Sequence, residues 1–339
     1  MADEPRHPSR PSGPSGPSRP DVRASWPSIA QRLSSATDLA RGTVSPAVTV
    51  FRDPARLTAR LWLFALRNDR RARAATAVLV GFGIIAVAGA LSPPLVPRLE
   101  DALLAPSAVH PFGTDSTGRD VLMLLLQGTA GTLFGGLLAA LAAAVLGVAL
   151  GALAGWVRGF VDLVVGRAIE ATHAVPSLLL VLVLQGLAPS PGTTSLLLAI
   201  VVTRWAEFAR VVRADVLRVV AMDHVTAARA LGASPSRILA RHVLPAVISS
   251  ALVLVAFAVG AVVVIEAAVA AVGIGAIDPL SWGALLAQAR SSPFAWWLVA
   301  FPALLVVLVV AATSLLGEAM RDALDPRLRG TQGQARVQP

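Results

Sequence analysis

An all-α fold that crosses a membrane about six times is what this sequence predicts, and three observations carry the prediction. Hydrophobic residues make up 55% of the 339, charged residues only 14%, and the mean hydropathy is +0.69, a balance well outside that of an ordinary soluble domain. Six apolar runs approach or exceed the roughly 18 residues a helix needs to span a hydrocarbon core. The positive charge, all of it arginine, gathers in alternate intervals between those runs.

Taken in chain order, residues 1–53 are dominated by Pro, Ser, Arg and Gly, as in HPSRPSGPSGPSRP. Such a segment buries too little apolar surface to offset its ordering entropy, so a disordered tail is expected. Residues 54–73 read as an interfacial helix, because PARLTARLWLFALRN brings Leu57, Leu61, Phe64 and Ala65 together with arginines between them. The membrane domain covers 74–320, with spans near 74–92, 131–155, 164–188, 194–212, 245–273 and 294–317, and residues 321–339 form a closing tail. The first run begins some seventy residues in, behind a long polar segment, so it reads as a retained helix and not as a signal peptide.

Charge orients the spans. Arg67, Arg70, Arg71 and Arg73 precede the first, Arg213, Arg218, Arg229, Arg237 and Arg241 follow the fourth, and Arg321, Arg327 and Arg329 follow the sixth. Those three segments, and with them both termini, are expected on the cytoplasmic side. The other intervals are poorer, with Arg98 and Arg119 set against Glu100, Asp101, Asp115 and Asp120, and Arg290 near Asp278. The pI near 11.6 therefore reports orientation in a lipid bilayer and not nucleic-acid binding.

Within the spans, ionisable side chains cost about 2.5–3.5 kcal/mol each on the insertion scale and usually face protein or water. Arg167 with Glu170, and Arg204 with Glu207, have the i,i+3 spacing of pairs on one helix face. Glu266 has no basic residue within two turns and is expected at a subunit interface or along a pathway. Gly147, Gly151 and Gly155, joined by Gly131 and Gly135, form small-residue ridges for close helix packing. Pro176, Pro245 and Pro302 mark helix entries or kinks.

Catalytic chemistry is missing, and a non-enzyme is expected. Without lysine there is no P-loop for ATP phosphates. Without cysteine there is no disulfide or thiolate site, and histidines 7, 110, 173, 224 and 242 lack metal-ligand spacing. No nucleophile-elbow sequence is present. No metal and no cofactor bound by this chain are expected.

Two polar segments are more specific. In MDHVTAARALGASPSRILARHVLPAV, from Met222, Asp223 to Leu231 suits a short helix, Gly232 ends it, and Ser234 with Pro235 offers an N-cap followed by proline at the first helical position. Its alanines are too small to hold a core but allow close approach to a groove on another protein. Between the first two spans, HPFGTDSTGRDVL from His110 gives Thr117 and Asp120 capping-box spacing, with tight turns at Gly113 and Gly118.

The first segment resembles the coupling loop, here 222–245, of the membrane subunits of ATP-binding-cassette importers, with Ala227, Ala228, Gly232, Leu244 and Pro245 in register and Thr226 where the family has glutamate. The second resembles the same place in the dipeptide, oligopeptide and nickel branch. HAVPSLLLVLVL, ARVVRADVL, EAAVAAVGIG, SWGALL and GEAMRDALDPRLRG continue the match over about 57–330. The chain is similar to the second permease subunit of such importers. Ala130 stands where relatives often carry arginine, and Val269 to Gly273 replaces the usual Leu-Ser-Phe-Leu-Gly.

The resemblance implies the type I importer permease fold and a place in a prokaryotic cytoplasmic membrane. It implies a homologous permease, two ATPase subunits that use ATP and Mg, and an extracytoplasmic substrate-binding protein as partners. Thr226, Ala227, Ala228, Gly232, Ser234, Pro235, Leu244 and Pro245 would face the ATPase. His110, Gly113, Thr114, Asp115, Gly118, Arg119 and Asp120 would contact the binding protein. Di- or oligopeptides are the expected cargo, with nickel chelates or another small solute as the alternative. A stand-alone secondary transporter or channel, or a membrane scaffold, is the rival of another class.

Overall fold

The computed structural model describes residues 69–274 and 280–324. The expected tail 1–53, most of the interfacial segment 54–73, Asp278 and the arginines at 327 and 329 lie outside the described residues. Among those described, every regular element is helical, apart from one isolated bridge between Thr114 and Asp120.

Helix α1, Arg70–Leu91, starts four residues before the first expected span, because the Asp69 carboxylate accepts the Arg71 N–H at 2.8 Å and fixes the N-terminus there. Residues 70–73 thus belong to the spanning helix and not to a separate interfacial one. Helix α2, Val121–Val157, has 37 residues, about 55 Å at 1.5 Å per residue, and is far longer than the hydrocarbon core requires. It begins ten residues before the expected run. Its polar groups there are satisfied, with Gln127 donating to the Ser92 hydroxyl and the Pro93 carbonyl, and Thr129 to the Leu125 carbonyl.

The third expected span is two helices, α3 Gly159–Ala174 and α4 Ser177–Gly186, bent 90° at the break. Pro176 causes it: the residue before a proline is driven out of the helical region, and Val175 is extended at φ −109, ψ 134. The fourth, α5 Thr193–Val220, is long enough to cross but carries Arg204, Glu207 and Arg210 around its middle. By length and composition four of the described helices pass as spans, five if the bent pair counts as one.

A short helix α6, Asp223–Ala230, and a turn follow. α7, Pro235–Ile238, then runs through a π-turn at Leu239–Val243 into α8, Leu244–Val272, as one rod. Pro245, expected at a helix entry or kink, is the second residue of α8 and follows the π-turn, where the Leu244 N–H reaches back five residues to the Leu239 carbonyl. Widening the turn accommodates a residue that has no N–H for the regular ladder. α9, Trp282–Gln288, and α10, Trp297–Leu324, complete the described elements, with Pro302 inside α10.

The glycine ridge determines how α2 meets α5. A Cβ on Gly147 would stand 2.5 Å from the Phe208 Cβ and the Trp205 carbonyl oxygen, one on Gly151 2.5 Å from the Ala209 carbonyl oxygen, and one on Gly155 2.8 Å from the Val216 Cβ. Backbones meet directly along three turns. The second expected ridge is offset, since Gly131 is exposed while Gly128 and Gly136 pack, against Leu280 and Val263. Gly151→Ala is expected to push the helices apart at a cost of about 1–3 kcal/mol. Thermal unfolding of the detergent-solubilised protein measures this, and an unchanged midpoint contradicts the close packing.

Candidate functional site

The segment 222–245 holds a projecting turn whose first helix, α6, has one buried anchor. Val225 of α6 is fully buried with Val212, Val216 and Val219 of α5, Ala152 of α2, Ile238 of α7, and Val243 and Val247 of the rod. That single side chain attaches α6 to two long helices. Its other face is open: Thr226, Ala227, Ala230 and Gly232 are exposed, Ala228 is half-buried, and Leu231 is 89% exposed at the tip.

The tip is locked by its own backbone. Gly232 has φ +80, its N–H donates to the Arg229 carbonyl, and the Ala233 N–H donates to the Ala228 carbonyl, the paired bonds of a Schellman motif. Ser234 and Pro235 take the N-cap and first helical positions of α7, but the Ser234 side chain makes no capping bond. The rings of His224 and His242 lie 5.8 Å apart across the junction of α6 and the π-turn. Leu244 is half-buried and Pro245 is buried, so both support the turn from behind.

A second support was not legible locally. Asp162 near the start of α3 accepts both Arg213 Nε and, at 2.8 Å, Arg213 Nη2 from α5. The partners are 51 residues apart, so no sequence spacing points to them.

At the far end of α2, residues 110–120 form a compact cap. Asp115, fully buried, accepts from the backbone N–H of Thr117 and Arg119, from the Thr117 hydroxyl, and from the Arg119 guanidinium at 2.9 and 2.7 Å. Burial by itself pushes the Asp115 carboxyl up, but these donors outweigh it and hold the carboxyl below the ordinary range. Gly113 and Gly118 adopt the expected positive φ, +74 and +76. The expected capping box does not form: Thr117 turns to Asp115, and Asp120 alone caps α2, accepting the Met123 N–H while its other oxygen meets His110 Nδ1 at 2.9 Å. Trp297 of α10 donates its indole N–H to the Thr114 carbonyl, a tie across 183 positions that sequence reading missed.

Of the seven residues expected to meet an external protein, Gly113, Thr114, Asp115 and Gly118 are buried. They hold the cap together. His110, Arg119 and Asp120 are partly accessible, and Ser116, which donates to the Gln288 side chain, is exposed. Glu266 is 7% exposed on α8, one turn before the position where Gly283 of α9 packs on Ala270. The Arg167–Glu170 and Arg204–Glu207 pairs form at 2.8 Å each, the first well exposed. Among the described residues no group of three His, Asp or Glu is arranged to hold a metal ion.

Comparison with known proteins places this architecture. The family described as binding-protein-dependent transport system inner membrane component matches residues 147–330. A dipeptide transport system permease protein of Bacillus subtilis is 35% identical over 270 residues, 78% of this chain and 84% of its own. A putative peptide transport system permease protein of Brucella abortus is 34% identical over 86% of this chain and 99% of its own. A glutathione transport system permease protein of Escherichia coli is 36% identical over 66% and 75%. A solved amino acid ABC transporter with histidines aligns with TM-score 0.47 at 20% identity, over 58% of this chain and 93% of that one.

Proposed function

The chain belongs to the family of binding-protein-dependent transport system inner membrane components, and from that premise we propose that it is a permease subunit of an ATP-driven importer for di- or oligopeptides. It is a multi-pass membrane protein and not itself an enzyme; ATP hydrolysis belongs to separate subunits. In this reading it works with a homologous permease and two ATPase subunits in a prokaryotic cytoplasmic membrane, meets the ATPase at 222–245 and receives cargo from an extracytoplasmic binding protein over the 110–120 cap. Relatives named for dipeptides, peptides and glutathione support peptide cargo over nickel chelates.

The observation that carries the reading is the projecting turn. Its outer face carries small side chains and one exposed leucine beside the exposed Arg229 and Arg237, and its inner face is bound through Val225 to α5 and the start of the rod. A force applied to the turn therefore reaches helices that cross the membrane. Closure of the ATPases around ATP would tilt those helices and open the path outward, and reset after hydrolysis would release cargo inward.

Purification of the tagged chain from its native membrane, followed by ATPase and uptake assays with dipeptides in proteoliposomes, tests this. Recovery of a second permease and two ATPases with peptide-driven hydrolysis is expected. A lone chain or homo-oligomer without ATPase activity means a channel or secondary transporter, and uptake of nickel chelates but not peptides means the other cargo. In the same assay Glu266→Gln is expected to slow uptake about tenfold, as loss of a buried ionisable side chain on α8 would. Unchanged uptake in Glu266→Gln and Glu266→Ala removes Glu266 from the mechanism.

A further inference from the structure

We propose that the cavity at the break between α3 and α4 is a carboxylate-binding subsite on the transport path, with peptide as the carboxylate carrier resting on the reading above. The cavity, about 260 Å³, is lined by Thr172 and His173 at the end of α3, Ser177 at the start of α4, and Arg204, Glu207 and Arg210 on α5.

Three separate features make it an anion site. Its place is part-way along α5: Arg204 and Arg210 lie 11 and 17 residues beyond Thr193, about 16 and 26 Å along the helix from that end. Polar side chains so placed face protein or a watery path. Its charge is also unbalanced. Glu207 accepts Arg204 Nη2 at 2.8 Å, which neutralises that pair, while Arg210 has no carboxylate partner among the described residues, so the cavity keeps a net positive charge. Finally, it holds donors without acceptors. Arg204 Nε is buried and makes no hydrogen bond, and α4, ten residues long, begins at the cavity wall with no side-chain cap over its first N–H groups.

A carboxylate in the cavity supplies acceptors for Arg204 Nε and for the first turn of α4 and balances the charge of Arg210. A terminal carboxylate is carried by every unmodified peptide, whatever its side chains, so a site of this kind reads the common feature and leaves sequence preference elsewhere. Amidated peptides are expected to pass poorly.

Because the chain has no cysteine, Ser177→Cys places one thiol at the cavity wall. In membranes containing the assembled importer, its modification by an anionic sulfonatoethyl and a cationic trimethylammonioethyl methanethiosulfonate is followed on this chain, each rate divided by that of a free thiol. The anionic reagent is expected to be favoured about tenfold, and Arg210→Gln is expected to bring the ratio near one. Excess dialanine is expected to slow modification, and dialanine amide is not. Equal rates, a ratio unmoved by Arg210→Gln, an unreactive thiol, or no protection by either dialanine or acetate each overturns the site. Protection by acetate without protection by dialanine supports the carboxylate site and overturns the peptide reading instead.

Discussion

Replacing Gly232 with proline is expected to lower peptide uptake at least about tenfold while the protein still inserts, assembles and supports ATP hydrolysis. Proline fixes φ near −65° and has no N–H. The native residue sits at φ +80 and donates to the Arg229 carbonyl, so both requirements of the turn are lost together. The damage stays local, because a Cβ at position 232 meets nothing within 4 Å and the Val225 anchor lies on the opposite face. What changes is the direction in which Leu231 and the alanines are presented. Gly232→Ala separates conformation from contact: it keeps the N–H and adds only the left-handed strain of about 1–2 kcal/mol, so an intermediate loss is expected. Uptake and hydrolysis measured side by side in proteoliposomes decide the matter. Normal coupling in Gly232→Pro contradicts the assignment of 222–245 as the force-bearing contact.

The largest stability loss is expected at the other end of the molecule. Asp115→Ala leaves the Arg119 guanidinium, 15% exposed, and four other donors without their acceptor. Removing one member of a buried ion pair costs about 3–5 kcal/mol, against little for an exposed pair. Ser116→Ala, which removes only an exposed bond to Gln288, is the control and should stay within about 1 kcal/mol. Acid should mimic the first change. The folded Asp115 carboxyl lies below its ordinary value of about 4, so its stabilising contribution is complete above that pH and is lost as pH falls below it through the folded value. Thermal unfolding of Asp115→Ala at pH 7, and of the native protein from pH 6 to about 3, checks both. A midpoint for Asp115→Ala equal to the native one means that the cap is not held by this carboxylate.

Much of this molecule was legible because its determinants are local. The helix from Asp223, its glycine stop at 232 and the proline start at 235 depend on φ preferences and on donors a few residues away, and they formed where the spacing placed them. The ridge of Gly147, Gly151 and Gly155 was readable because helical periodicity puts them in line. Periodicity cannot say what a ridge meets, and so Gly131 and Gly135 read like a ridge while the tight contacts fall at Gly128 and Gly136. The Thr117 and Asp120 spacing failed as a capping box because buried Asp115 captured the threonine hydroxyl, a competition decided by burial and not by spacing.

The sequence alone determined the all-α class, the placement of the apolar helices and the two polar segments that set this chain apart, since each follows from transfer free energy and short-range hydrogen bonding. Only the tertiary structure decided the 90° break at Pro176, the continuous rod through Pro245, the Asp162–Arg213 tie and the polar cavity beside Arg204. Proline fixes where a helix is interrupted, but the angle taken there, like any contact between residues 51 positions apart, depends on which neighbours the packed helices supply.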